Sequence, residues 1–130
     1  MFRMNKNLLY PELSYKVCGL FFCTHNELGR YRNEKQYSDY FENLLKEEKI
    51  GYLREKAIPA SFLGEKERRN IPDFFIENKI IIDFKAKSFT TKEDYFQMQR
   101  YLESYGRELG LIVNFRQKYL RPKRILRRVS

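Results

Sequence analysis

The chain has 130 residues, a length that suits one domain with a real hydrophobic core. Hydrophobic residues make up 42% of it and aromatic residues 16%, which excludes a disordered chain, and no apolar run is long enough to span a membrane. The net charge is +9, and residues Leu109 to Ser130 include seven Lys and Arg but no acid, which favours a nucleic-acid partner over a merely solvated basic end.

Two amphipathic helices are predicted in the first part of the chain. Apolar residues recur at helical spacing from Glu12 to Leu28, and Gly29 is a suitable stop signal. Asn33 is suited to cap a second helix, which carries its own apolar stripe and ends near Gly51.

Three strands are predicted next, at Tyr52–Phe62, Ile71–Ile76 and Ile80–Phe84. Pro59 interrupts the first of them, because proline cannot donate to a strand ladder, so this strand belongs at an edge or a bulge. Residues 64–70 are predicted as a charged turn.

A third helix and one or two further strands complete the chain. Thr90 or Thr91 can cap the helix, which runs to Gly106. The apolar segment LGLIVNF predicts a buried strand, and RILRRV is a candidate for a last one. This order of elements predicts a mixed α/β or α+β fold in which helices pack on a sheet.

Two aspartates interrupt the apolar strands of the segment IPDFFIENKIIIDFKAK. Side chains alternate along a strand, so Asp83 and Lys85 share one face. With a three-residue loop at Glu77–Lys79, Asp73 opposes Asp83 on that face, whereas a two-residue loop would place them on opposite faces. Opposed carboxylates repel unless a cation lies between them, and hard divalent ions prefer oxygen ligands. The alternative is a surface ion pair between Asp83 and Lys85.

A third acid, Glu34, is predicted at the core-facing edge of the second helix, on the side of Tyr37 and Phe41. A carboxylate in that position is costly unless it has a partner. The alternative is a surface residue paired with Arg30 or Lys35.

The pattern Pro72-Asp73 followed by Asp83-Phe84-Lys85 resembles the signature of the PD-(D/E)xK nuclease superfamily. Four further segments make the chain similar to the small GxxExxY proteins of that superfamily. These segments are LSYKVCGLFFCTHNELG, Glu34-xx-Tyr37, QMQRYL and GLIVNF.

The resemblance extends from about Leu13 to Val129 and departs from the group at two positions. Tyr31 stands where the group has glycine, and Asp83 stands where it usually has glutamate. The resemblance implies a single domain over residues 1–130, with a restriction-endonuclease-like core, a central mixed four-stranded sheet flanked by helices, and a basic C-terminal segment at residues 115–130.

The resemblance also implies hydrolysis of phosphodiester bonds in nucleic acid, DNA rather than RNA, with Mg²⁺ or Mn²⁺ as cofactor. The implied catalytic residues are Asp73, Asp83, Lys85, Glu34 and Gln97. The implied metal ligands are Asp73, Asp83, the Phe84 backbone carbonyl and Glu34. Gln97, with Tyr101 one turn later, resembles the glutamine-tyrosine motif of the exonuclease-like branch.

Contacts with nucleic acid are predicted mainly for the basic C-terminal segment. The predicted residues are Lys118, Arg121, Lys123, Arg124, Arg127, Arg128 and Tyr101. The cations would hold phosphates without reading sequence, and the tyrosine could stack on a base.

Two other functions are left open, a nuclease fold that binds nucleic acid or a partner protein without turnover, and a structural protein with surface charges. A homodimer is also left open, and no membrane partner is expected. Cys18 and Cys23 show no disulfide pattern and the N-terminal sequence lacks signal-peptide features, which predicts a cytoplasmic protein.

Overall fold

The computed structural model of the chain describes residues 9–55 and 71–128, which form three helices and one sheet. The helices are α1 (Pro11–Leu28), α2 (Glu34–Glu47) and α3 (Lys92–Tyr105). The strands are β1 (Tyr52–Arg54), β2 (Phe74–Ile76), β3 (Ile80–Lys85), β4 (Leu109–Asn114) and β5 (Lys123–Leu126). The predicted mixed fold and element order are confirmed.

The sheet is five-stranded within the described residues, in the order β1-β2-β3-β4-β5. Among the described strands, only β3 and β4 are parallel, and α3 connects them, as a parallel pair requires. The expected count of four strands was wrong, because short strands extend both edges: β1 pairs with β2, and β5 pairs with β4.

The loop between β2 and β3 has three residues, so Ile76 pairs with Ile80 as predicted. Two consecutive loop residues, Glu77 and Asn78, have left-handed φ angles of 50° and 57°. Asparagine tolerates this conformation, whereas glutamate adopts it at some cost. The Glu77 carboxylate offsets part of that cost by accepting a hydrogen bond from the Gly51 N–H at 2.6 Å.

The two faces of the sheet pack against different helices. On one face, α1 and α2 cover side chains that include Ile80, Ile82 and Phe84. On the other face, α3 covers a smaller cluster that includes Ile81. The first face of β3 is therefore wholly apolar, and the polar residues of β3 lie on the α3 face.

The helix ends follow the predicted signals. Gly29, with φ of 78°, ends α1, and Asn33 forms a capping box with Gln36 at the start of α2. The second helix ends at Glu47, earlier than expected, and Lys49 then adopts a left-handed φ of 56°. Thr91 caps α3.

Two predictions concern residues outside the described part, namely the continuation of the first strand through Pro59 to Phe62 and the charged turn at residues 64–70. Among the described helices, none is both long and apolar enough to cross a membrane.

Gly110 lets α3 approach β4 closely. A Cβ atom added at Gly110 would lie 2.3 Å from Met98 Sδ and 2.8 Å from its Cγ. We expect Gly110→Ala to lower the free energy of unfolding by about 1–3 kcal/mol, because the core must open to admit the methyl group. Urea denaturation measures the change, and in a double variant with Met98→Ala the combined loss should be smaller than the sum of the two single losses, because the clash is then absent.

The control is Gly19→Ala, since a Cβ at Gly19 on α1 would meet no atom within 4 Å. This change should raise stability by about 0.5–1 kcal/mol through helix propensity. Equal effects of the two substitutions would contradict the close-approach interpretation.

Candidate active site

Asp73 and Asp83 meet at the end of the β2–β3 pair. The register that pairs Phe74 with Ile82 brings Asp73 opposite Asp83 one step further along. Asp73 Oδ2 accepts a hydrogen bond of 2.6 Å from the Phe84 backbone N–H, and the two carboxyl groups also hydrogen-bond to each other. Asp83 is only 5% exposed, so little water reaches the pair from its side.

This arrangement strongly perturbs the protonation of Asp73. Burial and the negative charge of Asp83 raise the pKa of Asp73 to about 8, and the carboxylate of Glu34 adds to the rise. The hydrogen bond from the Phe84 N–H opposes it without cancelling it. A carboxyl group whose pKa is raised by burial and by a neighbouring carboxylate indicates a site with an excess of negative charge.

Lys85 lies against this pair on the same face of β3. Its Nζ is 2.8 Å from Asp83 Oδ2, 3.1 Å from Gln97 Oε1 and 3.7 Å from Asp94 Oδ1. Burial alone would lower the pKa of Lys85, but the carboxylates of Asp83, Asp94 and Glu34 outweigh it and the pKa is raised. Lys85 is therefore an ammonium ion at neutral pH, not a proton acceptor.

Glu34, the first residue of α2, reaches the same region from the other side of the sheet end. Burial raises the pKa of Glu34, Lys85 lowers it and Asp83 raises it again, with a net upward shift. These couplings place Glu34 near Lys85 and Asp83, but its side chain is exposed, so the predicted core-facing position is wrong. Within the described residues, Glu34 forms no ion pair with Arg30 or Lys35.

Two residues that the sequence analysis did not identify support the site. Asp94 is buried in the first turn of α3, where its Oδ2 accepts from the Thr91 N–H, and its carboxylate pairs with Lys87 at 2.8 Å. Asn114 is buried at the end of β4 and bonds both the N–H and the carbonyl of Lys87. The capping pattern of Thr91 and Asp94 was readable in the sequence.

The donor set fits a hard divalent cation in part. The carboxylates of Asp73, Asp83 and Glu34 are oxygen ligands of the preferred kind, and the surplus charge on the aspartates would be relieved by a cation. Within residues 9–55 and 71–128, however, no three carboxylate, imidazole or thiol groups lie close enough together to form a complete ligand set.

The orientation of the Phe84 carbonyl is compatible with its predicted role. Lys85 O accepts from Phe115 N on the β4 side of β3. Backbone groups alternate along a strand, so the polar groups of Phe84 point to the β2 side, as its N–H to Asp73 shows.

The basic residues predicted to contact nucleic acid differ in their exposure and in their partners. Lys118, Arg121, Lys123 and Arg128 are exposed. Arg124 bonds Ser14 Oγ and the Leu9 carbonyl, and Arg127 pairs with Glu108, so these two arginines stabilise the fold.

The prediction that Tyr101 stacks on a base does not agree with its position. The residue lies on α3, its side chain is 2% exposed and packs in the cluster with Ile81, and its hydroxyl donates to the Ile71 carbonyl at 3.3 Å. A ring buried in this way has no free face for a base. Its hydroxyl instead lies near Asp83 and Asp73, which add to the effect of burial in raising the pKa of Tyr101.

Residues 11–129 match the PD-(D/E)XK nuclease superfamily. The chain belongs to this superfamily. The match extends over almost the entire sequence and includes Asp73, Asp83 and Lys85, whose side chains the fold brings together. The narrower assignment to the GxxExxY group stays a prediction, and a search of curated proteins gives no match.

Two solved structures are similar to this superfamily member. The protein SSO0001 shares 21% identity at a TM-score of 0.52, over 72% of this chain and 50% of the other. An alkaline exonuclease from Laribacter hongkongensis shares 16% identity at a TM-score of 0.49, over 67% of this chain and 52% of the other. The chain thus spans about half the length of these proteins, and the likeness to SSO0001 concerns the fold.

The raised pKa of Asp73 predicts a pH-dependent stability. Between the unfolded value near 4 and the folded value of about 8, the folded state binds the extra proton, so stability falls as pH rises. In EDTA, the free energy of unfolding should decrease between pH 5 and pH 8 by at most about 1.4 kcal/mol per unit. Asp73→Asn should flatten this slope and be more stable than wild type at pH 8, as measured by urea denaturation.

The control is Asp39→Asn, which removes an exposed carboxylate of the surface ion pair with Arg54. This variant should retain the wild-type slope. A wild-type protein with no loss of stability from pH 5 to pH 8 in EDTA would contradict the interpretation that burial and Asp83 raise the pKa of Asp73 in the folded state.

Proposed function

We propose that the protein is a nuclease that hydrolyses phosphodiester bonds of DNA and requires Mg²⁺ or Mn²⁺. The observation that carries the proposal is the pair of hydrogen-bonded aspartates beside a protonated lysine, at the positions of the superfamily signature. A structural surface ion pair does not explain this arrangement, because it leaves Asp73 with a pKa raised to about 8.

Asp73, Asp83 and Glu34, with the Phe84 carbonyl, would hold the cation. When bound, a divalent cation lowers the pKa of water and offsets the negative charge that develops on the reacting phosphate. The Phe84 N–H anchors Asp73, whereas Glu34 would move toward the two aspartates when a cation binds, because the described residues do not bring the three carboxylates together.

Lys85 supplies positive charge and hydrogen-bond donors next to the acids. It would orient water or stabilise the charge on the phosphate. Gln97 holds the ammonium through Oε1 and thereby acts as a positioning residue for Lys85.

A second function, binding without turnover, is supported by one observation. The described residues bring no complete metal-ligand set together, and Lys85 already neutralises part of the charge of Asp83. Such a protein would bind nucleic acid or a partner through the same fold and basic surface.

A cleavage assay with Lys85→Ala separates these two functions. Labelled single- and double-stranded DNA and RNA are incubated with Mg²⁺, Mn²⁺ or EDTA under single-turnover conditions. Wild type should cleave DNA with either cation and not in EDTA, and Lys85→Ala should be slower by about 100-fold or more, because one charge-stabilising donor is lost. The Tm of Lys85→Ala should still rise when the metal is added, since the proposed ligands remain.

The control is Lys16→Ala, which removes an exposed lysine on α1 and should cleave at the wild-type rate. No cleavage of any substrate by a folded wild-type protein would favour the binding function. Cleavage by Lys85→Ala at the wild-type rate would refute the role given to the lysine.

The exposed basic residues give a separate prediction for affinity. If Lys118, Arg121 and Lys123 contact phosphates, replacing all three by glutamine should reduce the slope of log K against log salt by roughly 2–3. Fluorescence anisotropy with labelled DNA in EDTA measures the slope. Replacing three exposed lysines elsewhere, Lys16, Lys46 and Lys49, is the matched control, and an equal change in both variants would contradict the prediction.

A further inference from the structure

We propose that Tyr31, Arg30 and Arg116 form a subsite that binds a single-stranded segment of nucleic acid next to the carboxylates of Asp73, Asp83 and Glu34, which we call the carboxylate cluster. The nature of the ligand in this inference rests on the proposed function. The subsite itself is new, and it would lie on the side of the carboxylate cluster that faces away from α3. We call these three residues the Arg-Tyr-Arg cluster.

The cluster presents an exposed aromatic ring together with two cations. Tyr31 is 76% exposed, although large aromatic side chains gain most from burial. The guanidinium carbon of Arg30 lies 5.2 Å from the centre of the ring, and that of Arg116 lies 5.7 Å from it. Exposed aromatic rings with nearby arginines are the combination on which unpaired bases stack while phosphates are held.

The two arginines are fixed by reciprocal hydrogen bonds. Arg30 Nε donates to the Arg116 carbonyl at 3.0 Å, and Arg116 Nε donates to the Arg30 carbonyl at 2.8 Å. Each guanidinium thus uses its Nε on backbone, which leaves its terminal nitrogens for other partners. Within the described residues neither arginine forms an ion pair with a carboxylate, so both charges are available to an anion.

The loop that carries Tyr31 is held against the end of β4. Tyr37 stacks on Phe115 with ring centres 4.2 Å apart, and its hydroxyl donates to the Gly29 carbonyl at 2.6 Å. The N–H of Arg32 donates to the same hydroxyl at 3.2 Å. The cluster is therefore presented by a fixed loop, which lowers the ordering cost of binding.

An open pocket joins the cluster to the candidate active site. The pocket has a volume of about 590 Å³, and its walls include Tyr31, Arg116, Glu34 and Ala86. Ala86 follows Lys85 in the chain, and Glu34 is coupled to Lys85 and Asp83. A strand whose phosphate lies at the candidate active site can thus extend along this pocket toward Tyr31.

The ring selects for single strands, because a base stacks on a side chain only when it has left its own helical stack. The test is fluorescence anisotropy in EDTA with a labelled oligothymidylate of about 12 nucleotides, within the usual range of single-strand sites. Tyr31→Ala should weaken binding about tenfold, and Tyr31→Phe should retain wild-type affinity. The slope of log K against log salt should stay unchanged in Tyr31→Ala, whereas Arg116→Gln should reduce that slope by roughly 0.7.

The matched control is Tyr15→Ala, which removes an 84% exposed tyrosine from α1. Tyr15→Ala should bind the oligothymidylate with wild-type affinity. A blunt-ended duplex should bind to wild type and to Tyr31→Ala with equal affinity. The same measurements on oligouridylate show whether the strand is DNA or RNA, and a loss on either supports the subsite. Equal affinities of Tyr31→Ala and Tyr15→Ala, or no binding of single strands by wild type, would overturn it.

The cleavage assay separates failure of the subsite from failure of the proposed function. Loss of affinity in Tyr31→Ala, with no cleavage by wild type under any metal condition, would retain the subsite and refute the nuclease. Cleavage by wild type, with unchanged affinity in Tyr31→Ala, would retain the nuclease and refute the subsite.

Discussion

The repulsion between Asp73 and Asp83 is the constraint around which the candidate site is arranged. Asp83 lies in β3 and Asp73 directly precedes β2, and the strand residues beside both are buried, so water cannot screen them fully. The sheet offsets the cost in two ways, since the Phe84 N–H bonds Asp73 and the Lys85 ammonium pairs with Asp83. The raised pKa of Asp73 indicates that these contacts do not remove the strain, and a site that retains such strain is suited to bind a cation.

The proximity of the two acids depends on a single loop length. A shift of one residue between β2 and β3 would move Asp73 to the apolar α1–α2 face, where a carboxylate would have no partner. The three-residue loop prevents this shift, although it holds Glu77 in a left-handed conformation that glutamate rarely adopts. The bond from the Gly51 N–H to the Glu77 carboxylate therefore contributes indirectly to the site, because it stabilises the loop that fixes the register.

Local patterns in the sequence were sufficient for the element order, the helix caps and the face of β3 that carries Asp83 and Lys85. Features that depend on distant segments were not predictable in this way. Asn114 lies beside Lys85 only because β3 and β4 are parallel in that register, and the burial of Tyr101 depends on the packing of α3. The basic C-terminal segment illustrates the same limit, since composition could not distinguish Arg124 and Arg127, which have partners within the fold, from exposed Arg121.

The position of Lys85 depends in turn on how closely α3 approaches the sheet. Gln97 and Asp94, which hold the ammonium together with Asp83, both lie on α3. The helix can lie this near because Gly110 has no side chain and Met98 occupies the space above it. A packing contact without any charge thus sets the separation between a lysine on β3 and its acceptors on α3. Since ion pairs in a partly buried site weaken rapidly with misplacement, the electrostatics of this site are a consequence of the packing between helix and sheet.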